Sequence, residues 1–137
     1  MKRSIYWRSG TLVGIILTLT TLLSIQNEEG DPVVKVTEVS TNKKYGKKPK
    51  TAIKVGTVPN EYEFLAQLSG PNGEKIKYQR IQSCCPFKCD TAPFGRGLLD
   101  EWEIKIAGKK KSMIIYLNGY EYDDPKAPKG LGIKSSF

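Results

Sequence analysis

The alternation between Leu98 and Ile106 constrains this chain most. Trp102, Ile104 and Ile106 alternate with Glu101, Glu103 and Lys105. A period of two puts one set against a core and the other in water, which is the pattern of a half-buried strand. Met113 to Tyr120 follows and is apolar almost throughout, as a central strand is. Gly108 to Lys111 joins the two, and a four-residue loop suits a hairpin. Two strands alone are marginal in water, so the rest of the chain has to supply a cover for the apolar face.

Further segments fit that requirement. Val33 to Val39 is rich in β-branched residues and reads as a strand, and Thr51 to Val55 reads as a second, ended by Gly56. Asn60 with Glu63 three residues on resembles a capping box, with Phe64, Leu65 and Leu68 on one helical face and Gly70 as the stop. The same stretch also alternates (Tyr62, Phe64, Ala66, Leu68), and the helix is the favoured reading. Gly70-Pro71-Asn72-Gly73 marks a turn, and Lys75 to Gln82 reads as a strand with Ile76 and Tyr78 on one face. The expected fold is mainly β: a small antiparallel sheet or sandwich, or an α+β layer with one short helix near residues 60–69. Residues 27–122 would form a single β-rich domain. Residues 123–137, with Pro125, Pro128 and two glycines, would form a loose tail.

The N-terminus carries a different message. Lys2, Arg3 and Arg8 precede Thr11 to Ile25, fifteen residues without a charge, and Glu28, Glu29 and Asp31 follow. A basic start and a short apolar run read as a secretory signal over residues 1–26, and the charge asymmetry sends the remainder across the membrane. Only Ser24 offers a small residue near the end of the run, so an uncleaved anchor through residues 11–25 is the alternative. Both place residues from about Asn27 onward outside the cytoplasm.

Without residues 1–26, a body of 111 residues remains, with 19 basic and 14 acidic side chains and a net charge of +5. That length can bury its own core, but falls far short of the roughly 250 residues of a (β/α)₈ barrel. The chain has no histidine, which excludes a Ser-His-Asp triad, a Cys-His dyad and any His-ligated metal. No phosphate-loop or EF-hand spacing occurs, and no cofactor is expected. Glu101 and Glu103 share one strand face, as ordinary solvated acids do.

Two local clusters remain. Lys43, Lys44, Lys47, Lys48 and Lys50 crowd into eight residues with Tyr45, Gly46 and Pro49, a loop composition. Clustered lysines can bind phosphate or carboxylate groups, so this loop is the candidate contact for an anionic lipid, a polysaccharide or another envelope protein. Nucleic acid is not an expected partner of an exported chain. The second cluster is Ser83-Cys84-Cys85-Pro86-Phe87-Lys88-Cys89. In an oxidising compartment a disulfide is the default, and three thiols leave one over. Cys84–Cys89 and Cys85–Cys89 would each close a small loop, while a bond between adjacent Cys84 and Cys85 would be strained. The connectivity stays open at this point, as does a redox-active thiol.

Three stretches carry a resemblance: Tyr45 to Gly56 (YGKKPKTAIKVG), Leu68 to Phe87 (LSGPNGEKIKYQRIQSCCPF) and Gly97 to Tyr120 (GLLDEWEIKIAGKKKSMIIYLNGY). Together they resemble a group of small signal-bearing envelope proteins and lipoproteins of Gram-negative bacteria, with a Cys-Cys pair after a GPNGEK turn and no established activity. Members are sometimes labelled 2-dehydro-3-deoxyphosphooctonate aldolase, a label that implies a barrel enzyme this chain is too short to form. Many place a lipid-modified cysteine at the end of the signal, and this chain has none there. The resemblance implies an exported protein of the periplasm or outer cell envelope and carries no catalytic residue across. The leading expectation is a non-catalytic binding or structural module. An enzyme acting on envelope sugars or phosphates, which would need a pocket with convergent carboxylates, and a thiol-redox protein are the alternatives.

Overall fold

A computed structural model describes residues 30–135 of the 137. The signal or anchor expected over 1–26 lies outside the described residues. The protein is mainly β, with one helix. The strands are β1 (Ile53–Lys54), β2 (Leu68–Ser69), β3 (Ile76–Lys88), β4 (Arg96–Ile106), β5 (Met113–Asn118) and β6 (Gly132–Ile133), and α1 spans Val58–Ala66. Four strands form one sheet in the order β1-β5-β4-β3, and β2 pairs with β6 in a second. The β3-β4 and β4-β5 pairs are antiparallel, whereas β1 runs parallel to β5, so the larger sheet is mixed.

The hairpin read from the alternation is there in register. Trp102 faces Ile115 and Ile104 faces Met113 across β4 and β5. Their common face carries the core, with Phe64 and Leu65 of α1, Ile53, Val55, Ile115 and Leu117 all fully buried. On the other face Lys105 pairs with Glu103 at 3.4 Å and Gln82 donates to Glu101 at 2.9 Å. Those acids are the surface charge that the period-two pattern predicts.

The helix cap lies three residues before the expected one. Thr57 is the N-cap, its Oγ1 accepting from the Asn60 N–H at 3.3 Å, and Pro59 occupies the first turn, where a missing N–H costs nothing. Asn60 points inward instead, donating to the carbonyls of Pro32 and Val55, each at 2.8 Å. The helix closes at Gln67, and Leu68 already belongs to β2.

Two expectations are corrected. Val33 to Val39 is extended with Val34 and Val36 buried, but it is not a strand in a ladder. The Gln67 side chain satisfies that backbone, accepting from Val36 N–H at 2.9 Å and donating to the Val34 carbonyl at 3.0 Å. A side-chain amide presents the same donor and acceptor as a peptide group, so it takes the place of a partner strand. Residues 123–135 are not loose either. Ala127 and Leu131 are buried, Ala127 exchanges backbone bonds with Glu38 and Ser40, and β6 pairs with β2. The proline and glycine content signals irregular backbone, but the intervening apolar side chains anchor it.

Candidate functional site

The sheet is wider than the helix that covers it. Beyond α1 the core faces of β3 and β4 open into a cleft of about 340 Å³, lined by Val58, Glu61, Tyr62, Arg80, Ser83, Leu98, Asp100, Trp102, Gly119 and Tyr120. Register explains the convergence. Arg80 faces Trp102 and Ser83 faces Asp100 across the β3-β4 pair, with a bulge between Arg80 and Gln82 that re-aims Ser83 onto the same side. Asp100 continues the Trp102, Ile104, Ile106 alternation one step toward the start of β4, so it faces inward and is buried.

Glu61 arrives from α1 and is 1% exposed. Its Oε2 accepts from the Trp102 indole N–H at 2.9 Å. Gly119 permits this approach: a Cβ there would sit 3.2 Å from Glu61 Oε1 and 3.1 Å from the Val58 backbone nitrogen. Arg80 Nη2 donates to Asp100 Oδ1 at 2.8 Å, and Ser83 Oγ donates to the same oxygen at 2.7 Å. Arg80 Nη2 also donates to Ser83 Oγ. The aromatic walls are interlocked: Tyr62 meets Trp102 edge-on at 5.3 Å, and Tyr78 meets it at 6.1 Å.

The two carboxyls are driven apart in acidity. Burial pushes Glu61 up to about 7, the Trp102 N–H opposes that, and the Asp100 charge and hydrogen bond add to it. Burial also disfavours ionised Asp100, but the hydrogen bonds from Arg80 and Ser83 and the Arg80 charge outweigh it and hold Asp100 below the usual carboxylate range. The cleft therefore holds one carboxyl that keeps its proton near neutrality and one that is ionised, beside a guanidinium and a hydroxyl. Through the half-exposed Arg80 guanidinium it can donate to a polar ligand, while presenting the half-exposed faces of Tyr62, Leu98 and Val58.

The residues singled out from the sequence lie elsewhere. The lysine loop leads into β1 and is tied to β5 by the Tyr116 N–H to Gly46 carbonyl bond at 2.8 Å, at the sheet edge opposite β3. Lys43, Lys44, Lys48 and Lys50 are exposed. Lys47 is half-buried and its Nζ donates to the Lys129 carbonyl. Thr51 closes the loop internally, its Oγ1 donating to the Lys44 and Lys48 carbonyls. Among the described residues no carboxylate pairs with these five lysines.

Of the cysteines, adjacent Cys84 and Cys85 approach each other in near-disulfide geometry. They sit at the second irregularity of β3, between Cys84 and Phe87, where Cys85 takes φ 56°. A bulge supplies the backbone freedom that a regular strand denies to a neighbouring pair. Cys89 stays apart as a buried thiol, 3.1 Å from Thr91 Oγ1, so neither six- nor five-residue loop through Cys89 is formed. No group of three or more His, Cys, Asp or Glu side chains suited to a metal ion occurs among the described residues, nor any helix long and apolar enough to cross a membrane.

Sequence reasoning missed Glu61, Arg80, Ser83 and Asp100 as a set. A signal existed for two of them. Stepping back by two from Trp102 reaches Asp100, and forward by two from Tyr78 reaches Arg80, which puts an opposite-charge pair on the buried face of adjacent strands. Glu61 carries no such signal, because its partner Trp102 is 41 residues away. Compared with protein families, with curated proteins and with solved structures, the chain matches none.

Proposed function

We propose that the protein is a small binding module of the cell envelope, exported by its N-terminal segment, and that its ligand site is the cleft between α1 and the β3-β4 pair. The observation that carries this reading is the convergence of Glu61, Arg80, Ser83 and Asp100 beside Tyr62 and Trp102 in one cleft. A half-exposed guanidinium next to aromatic surface suits a polyhydroxylated ligand, whose hydroxyls accept from Arg80 and whose C–H faces pack on the Tyr62 ring, while Glu61 and Asp100 hold Trp102 and Arg80 in place from behind. The saccharide units of an envelope polysaccharide have that chemistry and are within reach of an exported domain. Calorimetric titration of the protein with oligosaccharide fragments of such polysaccharides tests the reading. Arg80→Ala should weaken binding by about tenfold or more, as expected for loss of a charge-assisted hydrogen bond. Binding that is absent across the set, or indifferent to Arg80, sinks it.

One observation favours a second reading, an enzyme acting on envelope sugars or phosphates. The separated acidities of Glu61 and Asp100 are the arrangement a general acid and a carboxylate need. Against it, Asp100 is occupied by Arg80 and Ser83 and Glu61 is 1% exposed, which leaves neither carboxyl free to meet a substrate. Turnover of the same oligosaccharides by the parent protein and its absence in Glu61→Gln would establish the enzyme and displace the binding module. Export is tested separately, by intact mass of the protein recovered from its envelope. Loss of about the first 26 residues with Cys84 and Cys85 protected from alkylation is expected, whereas a full-length chain with three free thiols contradicts the cleaved, oxidised form.

A further inference from the structure

The tip of the β3-β4 hairpin breaks three local rules at once. Arg96 N–H bonds back to the Pro93 carbonyl, closing a turn whose central residues are Phe94 and Gly95. Both have positive φ, 60° and 68°. A turn of that kind favours Asn, Asp or Gly at its first central position, because a bulky side chain there crowds its own backbone. Phenylalanine occupies it. The ring, moreover, finds no shelter: Phe94 is 103% exposed, more than any other large apolar side chain described. Finally, Lys88 and Arg96 face each other directly across the neck of the hairpin, and like charges in that position repel. The strained turn is held in place by the Cys89 N–H to Gly95 carbonyl bond at 3.0 Å and the Gly95 N–H to Ala92 carbonyl bond at 3.1 Å.

The positive-φ turn and the facing cations lower the stability of the isolated protein, the bare ring adds nothing to it, and all three fall within one hairpin. Local conflicts of this kind concentrate where a sequence serves binding rather than folding. We infer that this tip docks on a lipid bilayer bearing anionic headgroups, with the Phe94 ring entering the apolar boundary and Lys88 and Arg96 meeting the headgroups. A bilayer removes two of the three conflicts, the bare ring and the facing cations, and the strained turn is what holds the ring at the tip. The bilayer takes up a lone convex ring without requiring a preformed pocket, and its anionic surface neutralises the facing cations. A protein partner would have to supply a matching socket for a single ring. Asp90 is the one acidic side chain on the tip, which leaves the segment from Lys88 to Arg96 with a net charge of +1. The contact is therefore weak and reversible by itself, an orienting contact and not an anchor. It moves the anionic partner from the lysine loop to the opposite side of the sheet.

The full chain carries its own apolar N-terminal run, so overall vesicle affinity is not the readout; the local environment of residue 94 is. Phe94→Trp in a Trp7→Phe background, mixed with vesicles containing phosphatidylglycerol, should show blue-shifted emission and quenching by brominated acyl chains, relative to Trp7→Phe alone. Phosphatidylcholine vesicles should give a smaller shift. Two further variants separate docking from folding. Phe94→Asn relieves the turn and Lys88→Glu turns the facing pair into an attractive one, so both should melt higher than the parent. Both should also lose the slowing of hydrogen exchange over residues 88–96 that phosphatidylglycerol vesicles produce in the parent. Emission at residue 94 unchanged by anionic vesicles overturns the inference. So does protection of 88–96 that survives Phe94→Asn.

Discussion

The lysine loop and the cleft sit at opposite edges of one sheet and differ in what holds them. The loop concentrates five cations in eight residues, yet four of the five side chains are exposed, the fifth, Lys47, is spent on the Lys129 carbonyl, and Thr51 closes the loop's own backbone. The cleft draws single charges from α1, β3 and β4, far apart in sequence, and binds them into one network. Charge density along a chain is not convergence in space. Exposed amines are solvated at little cost, and nothing fixes their geometry. Buried carboxyls must be partnered or neutralised, so their geometry is fixed by the fold itself.

The sharpest contrast is in stability. Trp102→Ala should cost about 3–5 kcal/mol, since it removes a buried ring, its contacts with Tyr62 and Tyr78 and the partner of Glu61. Lys47→Glu with Lys48→Glu should change stability by only about 0.5 kcal/mol. Chemical denaturation of both variants measures the difference, and equal losses would mean the loop is a structural element of comparable weight.

The next effect is its pH dependence. Glu61 holds its proton up to about 7 when folded and gives it up near 4.5 when unfolded. Between those values the folded state binds more protons, so stability should fall as pH rises, by about 3 kcal/mol over the whole window. Below pH 4.5 this contribution is complete, and above 7 it is gone. Asp100 acts in the opposite sense, because its folded carboxyl is the more acidic: its contribution is present above its ordinary 3.8 and is lost as pH falls below that. Denaturant midpoints at pH 4.5, 6 and 8 should trace the Glu61 slope, and Glu61→Gln should flatten it. A slope unaltered in Glu61→Gln would assign it to another group.

A smaller effect separates the members of the network. Arg80 is 43% exposed at its side chain, so much of its attraction to Asp100 is screened, and Arg80→Ala should cost about 1 kcal/mol. Asp100→Asn should raise the acidity of Glu61 by removing the neighbouring charge, seen as a downward move of the Glu61 titration in carboxyl-carbon NMR.

The comparison also separates what the sequence discloses from what it does not. The hairpin of β4 and β5 is legible because burial on one face writes itself into alternation at Trp102, Ile104 and Ile106. The lysine loop is legible as a loop because Pro49 and Gly46 interrupt any regular pattern. The parallel pairing of β1 with β5 leaves no such mark in two residues, Ile53 and Lys54. The packing of residues 123–135 is hidden because Pro125 and Pro128 suggest irregular backbone, which it is, and irregular backbone can still be buried. The cleft was half legible: Arg80 and Asp100 follow from extending two alternations, while Glu61 depends on where α1 crosses the sheet. The approach of Cys84 to Cys85 is not legible either, because only the bulge in β3 shows how adjacent residues reach near-disulfide geometry.

The most direct test of the cleft as the binding surface is an ¹⁵N-edited NMR titration with oligosaccharide fragments of an envelope polysaccharide. The Trp102 indole N–H and the backbone amides of Glu61, Arg80, Ser83 and Asp100 should shift together and saturate with one affinity, while those of Lys43 to Lys50 stay in place. Shifts confined to Lys43 to Lys50, with the Trp102 indole unmoved, would contradict the account and return the binding surface to the lysine loop.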